Sequence, residues 1–332
     1  MLGLINQPPV QTRWVWSPSE EATPEQIIDA WMELASDLQV AQAATRVWHC
    51  GRGEPVICLH GAISSALVYR YLLPQLSECG LHAIAIDFPG MGLADRPNKD
   101  FDYSWCGLAR WLTDALNALG FERIHLVVHD TAGPIAFEYA RLMPGRIASM
   151  TIMNSLVATA RYQRPWYMKP LVWPWIGPLY LGNMSTALFT KLYRQYGLTT
   201  PVPTAELHAH WQLLRQKDSG RAFLQIMRRF ELSQEFERAI HLSLRGRQYP
   251  VQLLWGRYER ALPLQYQGQE AREILGLEML QQLPGGHFLQ EDCPDILARQ
   301  ISHFVRQHTT LPQLSQTWQR PNPLTTSGHL GS

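Results

Sequence analysis

Ile124-His125-Leu126-Val127-Val128-His129-Asp130-Thr131-Ala132-Gly133-Pro134-Ile135-Ala136 is the stretch whose reading decides the fold. Its first five residues form a short apolar β-type run, and residues 134–140 have helical character. The whole reads as a sharp strand-to-helix turn with one reactive side chain at its apex, a nucleophile elbow. Setting the usual Ser-centred form, His-Ser-Ala-Gly-Gly-Pro-Ile-Ala, against His129 to Ala136 puts Asp130 at the apex. A carboxylate there attacks carbon by displacement and leaves an ester on the protein, which water must then hydrolyse. Two other readings stay open: Thr131 as apex, with Gly133 two residues on as in G-x-S-x-G, and Asp130 as a plain helix N-cap.

Working outward, strand-like and helix-like runs alternate. Upstream, residues 45–50 and 56–59 read as strands, the second ending in His60-Gly61-Ala62. A Gly-containing turn at a strand's carboxyl end can aim backbone N–H groups at a reacting oxygen. Residues 83–86 form a further strand that ends in the Gly- and Pro-rich loop Asp87 to Pro97, and 103–119 are helical with Gly120 as a stop. Downstream come a helix to Met143 and a strand over 149–153 ending at Asn154. Strict alternation predicts an α/β fold, a mostly parallel central sheet flanked by helices.

After Asn154 the alternation stops. Residues 155–249 hold Trp166, Tyr167, Trp173 and Trp175 in a Pro-rich stretch, then helical segments at 204–214 and 221–230. This predicts an inserted helical cap, with those four aromatic residues lining an apolar substrate pocket. The sheet resumes at 250–256 and ends in Arg257-Tyr258-Glu259-Arg260. A helix over 263–275, a short strand near 278–280, the loop Leu283-Pro284-Gly285-Gly286-His287 and a last helix over 294–307 complete the core, which is expected at 45–154 and 250–308. Residues 1–44 read as an N-terminal extension with one helix, starting at the cap signal Thr23-Pro24-Glu25-Gln26, and 309–332 as a disordered tail.

A chain of 332 residues with 46% hydrophobic and 17% charged content can bury a large core. The net charge of +1 and the lack of a long basic run give no reason to expect nucleic acid as a partner. Five widely spaced cysteines form no C-x-x-C pair, and the N-terminus shows no basic region followed by a sustained apolar one. With no apolar run of transmembrane length, the expectation is a cytoplasmic protein with reduced thiols, needing neither metal nor other cofactor.

Asp130, Glu259 and His287 follow successive strands in the order nucleophile, acid, histidine. That order, with His-Gly-Ala upstream, resembles the α/β-hydrolase superfamily over residues 47–304. Asp87 to Pro97 is similar to the Asp-x-x-Gly-x-Gly-x-Ser-Asp-x-Pro loop of its haloalkane dehalogenase and epoxide hydrolase branch, whose nucleophile is Asp. Gly286-His287-Phe288-Leu289-Gln290-Glu291-Asp292-Cys293-Pro294-Asp295 resembles the dehalogenases' histidine motif. Ile152-Met153-Asn154 resembles the subgroup whose acid follows the later strand, which favours Glu259. The resemblance implies that Asp130 is the nucleophile, that His287 activates water, that Glu259 orients His287, and that the amides of Ala62 and Thr131 form an oxyanion hole. Four positions depart from the branch: Thr131 stands where Trp usually follows the nucleophile, Ile63 where Pro follows His-Gly-x, Glu259 where Asp is commoner, and Ala132 where Gly is usual.

The expected function is hydrolysis of a carbon–halogen bond or an epoxide in an apolar small molecule, with water as co-substrate. Dehalogenation needs halide donors, for which a cap tryptophan is a candidate; epoxide opening needs cap tyrosines as acids, from among Tyr162, Tyr167, Tyr180, Tyr193 and Tyr196. A fold member that binds an apolar ligand or partner under the cap without hydrolysis is the alternative from another class.

Overall fold

The structure is a computed structural model that describes residues 16–98 and 100–309. The expected tail therefore lies, apart from Thr309, outside the described residues. Eight strands make one sheet: β1 (Ala35–Leu38), β2 (Thr45–Cys50), β3 (Pro55–Leu59), β4 (His82–Ile86), β5 (Ile124–Asp130), β6 (Ile147–Ser155), β7 (Val251–Gly256) and β8 (Gln281–Leu283). Their spatial order is β1-β2-β4-β3-β5-β6-β7-β8. Strand β2 is antiparallel to both neighbours, and every pairing from β4 to β8 is parallel. All nine residues of β6 are buried, as continuous apolar runs require in a parallel sheet covered on both faces.

The helices are α1 (Pro24–Glu33), α2 (Leu72–Glu78), α3 (Trp105–Leu119), α4 (Ala132–Leu142), α5 (Ile176–Asn183), α6 (Thr186–Gly197), α7 (Thr204–Arg215), α8 (Arg221–Arg228), α9 (Gln234–Arg245), α10 (Gln269–Leu275), α11 (Leu289–Asp292) and α12 (Pro294–His308). Local chemistry sets several ends. Thr23 and Gln26 form a reciprocal capping box at α1. Ser104 caps α3, and Gly120, at φ 75°, closes it in the left-handed conformation. Helices α2 and α12 pack on each other and on the sheet, and α4 packs on the sheet and on α3.

The structure departs from the sequence reading at several points. The last strand pairs at Gln281–Leu283 rather than near 278–280, because Leu283 alone of its residues is buried and β7 sets the register. Strand β1, only four residues and without full burial, was not anticipated at all. Within the expected insertion of 155–249, α9 buries Ile240 and Leu244 and packs against α4 and α10, just before the chain enters β7. The N-terminal extension is also less separate than it reads, since α1 packs on α7.

Candidate active site

Strand β5 ends at Asp130, whose φ is 52°, and α4 begins two residues later. Thr131 already has helical angles, so the strained left-handed residue at the strand-to-helix turn is Asp130. Its carbonyl accepts from Ser155 Oγ at 2.6 Å, tying the elbow to the end of β6. Gly133 is required here, since a Cβ on it would overlap that same hydroxyl. No side chain caps α4, which leaves the amides of its first turn to the site.

At the end of β3, the Ala62 N–H donates to Asp130 Oδ2 at 3.1 Å. Gly61 allows this approach, because a Cβ there would lie 2.5 Å from Oδ2. The preceding His60 is buried and neutral, burial pushing it down to about 4. Its Nε2 accepts from the Phe88 N–H at 3.1 Å, so Nδ1 carries the proton and donates to the Gly61 carbonyl at 2.9 Å. The turn that presents Ala62 is thereby fixed.

At the ends of β7 and β8, His287 Nδ1 lies 2.8 Å from Glu259 Oε2, both side chains being buried. Arg257 and Arg260 do not draw Glu259 into a surface cluster; Arg260 donates instead to the Gln195 carbonyl. Burial alone would lower the His287 pKa, but the carboxylates of Glu259 and then Asp130 outweigh it and raise it above the usual value. His287, Asp130 and Thr131 face one pocket.

Two residues not anticipated from sequence hold the histidine loop. Asn154, at the end of β6 with φ 38°, donates through Nδ2 to the carbonyls of Gly286 and His287 at 2.9 and 2.8 Å and accepts from the Gly256 N–H at 2.8 Å. His129 Nε2 adds a bond to the His287 carbonyl at 2.8 Å. Asparagine tolerates the left-handed region, which was the available clue.

The pocket encloses about 880 Å³ of empty space, mouth included. Met168, Leu171, Leu181, Met184, Phe189 and Trp211 give it an apolar wall. Trp166, Trp173 and Trp175 are not in that wall: they are 66%, 60% and 89% exposed, which corrects their expected role at the substrate. Among the described residues, Trp211 on α7 is the tryptophan that lines it, together with Tyr162, Tyr167, Tyr193 and Tyr196. Tyr180 is outside, donating to the Tyr167 carbonyl. The phenols of Tyr162 and Tyr167 are raised well above their ordinary value, by burial first and with Asp130 among the further causes for both.

An eight-stranded, mostly parallel sheet with an acid at its elbow and a histidine paired to Glu259 defines a class of protein before any comparison is made. The family described as alpha/beta hydrolase fold matches residues 54–294, well over half of the chain, and the chain belongs to it. The haloalkane dehalogenase of Psychrobacter cryohalolentis is 32% identical over 106 residues, 32% of this chain and 35% of that protein. Haloalkane dehalogenase 1 of Mycobacterium tuberculosis is 30% identical over 131 residues, 40% of this chain and 44% of that protein. The chain thus aligns with less than half the length of these relatives. Among solved structures, a haloalkane dehalogenase of Bradyrhizobium elkani superposes with a TM-score of 0.69 at 20% identity, covering 82% of this chain and 97% of that one. An alpha/beta hydrolase fold protein of Burkholderia ambifaria gives 0.69 at 22%, covering 81% and 97%.

Proposed function

We propose that this protein hydrolyses a carbon–halogen bond in an apolar small molecule through an alkyl ester on Asp130. The observation that carries the reading is the Asp130 carboxylate, with Oδ2 held on the Ala62 amide while the side chain opens, beside His287, into an apolar pocket. Oδ1 attacks the substrate carbon, and halide leaves with the bonding electrons. His287 then takes a proton from water, whose oxygen attacks the ester carbon. Charge develops on Oδ2, where the amides of Ala62 and of Thr131, just before α4, stabilise it. The alcohol departs with the proton returned by His287. Glu259 stabilises the imidazolium between these transfers. The names of the dehalogenase relatives support halide as the leaving group.

A second reading, epoxide opening, is favoured by Tyr162 and Tyr167. Both face the pocket with hydroxyls kept protonated by burial and by Asp130, as donors to an opening oxygen must be. In the first reading the same hydroxyls would hold halide in place of an indole N–H at position 131.

The test is a panel of haloalkanes and epoxides scored for halide and diol release, repeated in His287→Ala with intact-protein mass measurement. One equivalent of adduct on Asp130 in His287→Ala, and none in Asp130→Ala, is the expected outcome. Silence of the native chain across both panels, with no adduct, refutes the proposal.

A further inference from the structure

The tryptophans that leave the pocket pose a separate question. Among the described residues twelve large apolar side chains are exposed, and six of them, Trp166, Trp173, Trp175, Ile176, Leu179 and Leu188, fall between residues 166 and 188. Helix α5, Ile-Gly-Pro-Leu-Tyr-Leu-Gly-Asn, carries no charge and is apolar on all sides. A helix of that kind normally lies buried. Here Leu181 is buried, while Ile176 and Leu179, one turn apart, point to solvent at 48% and 68% exposure beside Trp175. An apolar cluster this concentrated calls for a partner.

Charge says which partner. From Ser155 to Ala205 the chain has no Asp or Glu, yet it carries Arg161, Arg164, Lys169, Lys191 and Arg194, in a protein whose net charge is only +1. Lys169 and Lys191 are exposed. Exposed tryptophans and lysines carried on one segment are suited to the interface of a bilayer, where the ring sits at headgroup depth and the ammonium meets anionic phosphate.

We propose that the outer face of residues 166–191 docks on an anionic lipid bilayer. The contact is peripheral, since among the described residues no helix is long and apolar enough to cross a membrane. The inner face of the same segment, through Tyr167, Met168, Leu171 and Leu181, is the wall of the pocket. Docking therefore sets the pocket against the medium in which apolar molecules dissolve, and the substrate is drawn from the bilayer. The docking stands on surface chemistry alone, while the delivery of substrate from the bilayer rests on the function proposed for Asp130.

Flotation of the full chain with vesicles tests it, comparing phosphatidylcholine alone with phosphatidylcholine containing phosphatidylglycerol. Binding is expected to the anionic vesicles, to weaken with added salt, and to fall by about tenfold or more in both Trp175→Ser/Leu179→Ser and Lys169→Glu/Lys191→Glu. Melting temperatures of both variants should match the native chain, because the four side chains are exposed, and Asp130→Ala should float as the native chain does. No binding to either vesicle, or binding untouched by both variants, overturns the proposal. A dimer in sedimentation that Trp175→Ser/Leu179→Ser turns into monomer, with no vesicle binding, overturns it in favour of an interface between two copies.

Discussion

Glu259 holds His287 with one carboxylate oxygen and its own turn with the other: Oε2 is 2.8 Å from His287 Nδ1, while Oε1 accepts from the amides of Ala261 and Leu262 at 2.5 and 2.9 Å. The longer side chain of Glu is accommodated by this second set of bonds. In Glu259→Gln the amide oxygen can keep the turn, so the NH2 group faces Nδ1 and forces the proton to Nε2, the atom that must take one from water. Adduct formation should persist while its hydrolysis slows by about 10³- to 10⁴-fold. Rapid-quench measurement of adduct decay checks this; native decay in the variant would place the acid elsewhere.

The pH dependence follows from the same group. His287 sits above its usual pKa because Glu259 and Asp130, in that order, outweigh burial. Esterification removes the Asp130 charge, so in the adduct the His287 pKa must drop and more of it is neutral base. The midpoint of adduct hydrolysis against pH should therefore lie below the midpoint of His287 in the free protein, read by NMR titration. Coincident midpoints would show that Asp130 does not act on His287.

Gly61→Ala tests the approach of Ala62 to the elbow. The new Cβ would lie 2.5 Å from Asp130 Oδ2 and 2.6 Å from its Cβ, so the carboxylate must leave the Ala62 amide. Loss of such a donor costs about 10²- to 10³-fold in rate. Gly145→Ala, whose Cβ meets nothing within 4 Å, is the control and should leave rate and stability unchanged. Equal rates in the two variants would contradict the assignment.

Arg70 is buried between Glu206 on α7 and Glu291 on α11, joining α7 to the helix after His287. Arg70→Met leaves two carboxylates uncompensated and should cost about 3–5 kcal/mol in chemical denaturation. Adding Glu206→Gln and Glu291→Gln should recover most of it. Burial alone would raise the Glu291 pKa, but Arg70 holds it below the usual carboxylate value. Its contribution is full above the unfolded pKa and fades as pH falls through the folded one, so the native chain should lose this margin only in acid.

Buried histidines set a second acid limit. Burial pushes His60 and His125 down to about 4 and His129 well below 6.5. Unfolded, each takes a proton near 6.5, so stability is lost as pH falls from there towards 4, by about 1.4 kcal/mol per pH unit for each histidine. Asp87, raised by burial to about 6, works the other way over part of that range. Urea midpoints between pH 7 and 4.5 should fall steeply; a flat profile would mean that these rings stay hydrated and titrate normally.

Much of this protein is legible from local chemistry. The run into Asp130, the His-Gly turn after β3 and the glycines before His287 are short-range patterns, because strand period, turn geometry and the demand for left-handed backbone act on neighbouring residues. The α/β alternation follows for the same reason. Other features depend on residues that meet only when the chain closes. Arg70 finds Glu206 and Glu291 across 136 and 221 positions, and the His287 carbonyl draws together His129 and Asn154. The tryptophans show the limit most directly. Around α5 nearly every side chain is apolar, so no contrast between polar and apolar positions tells which side faces the protein. Packing of the segment against its neighbours decided it, turning Tyr167 and Met168 inward to the pocket and leaving Trp166, Trp173 and Trp175 outside.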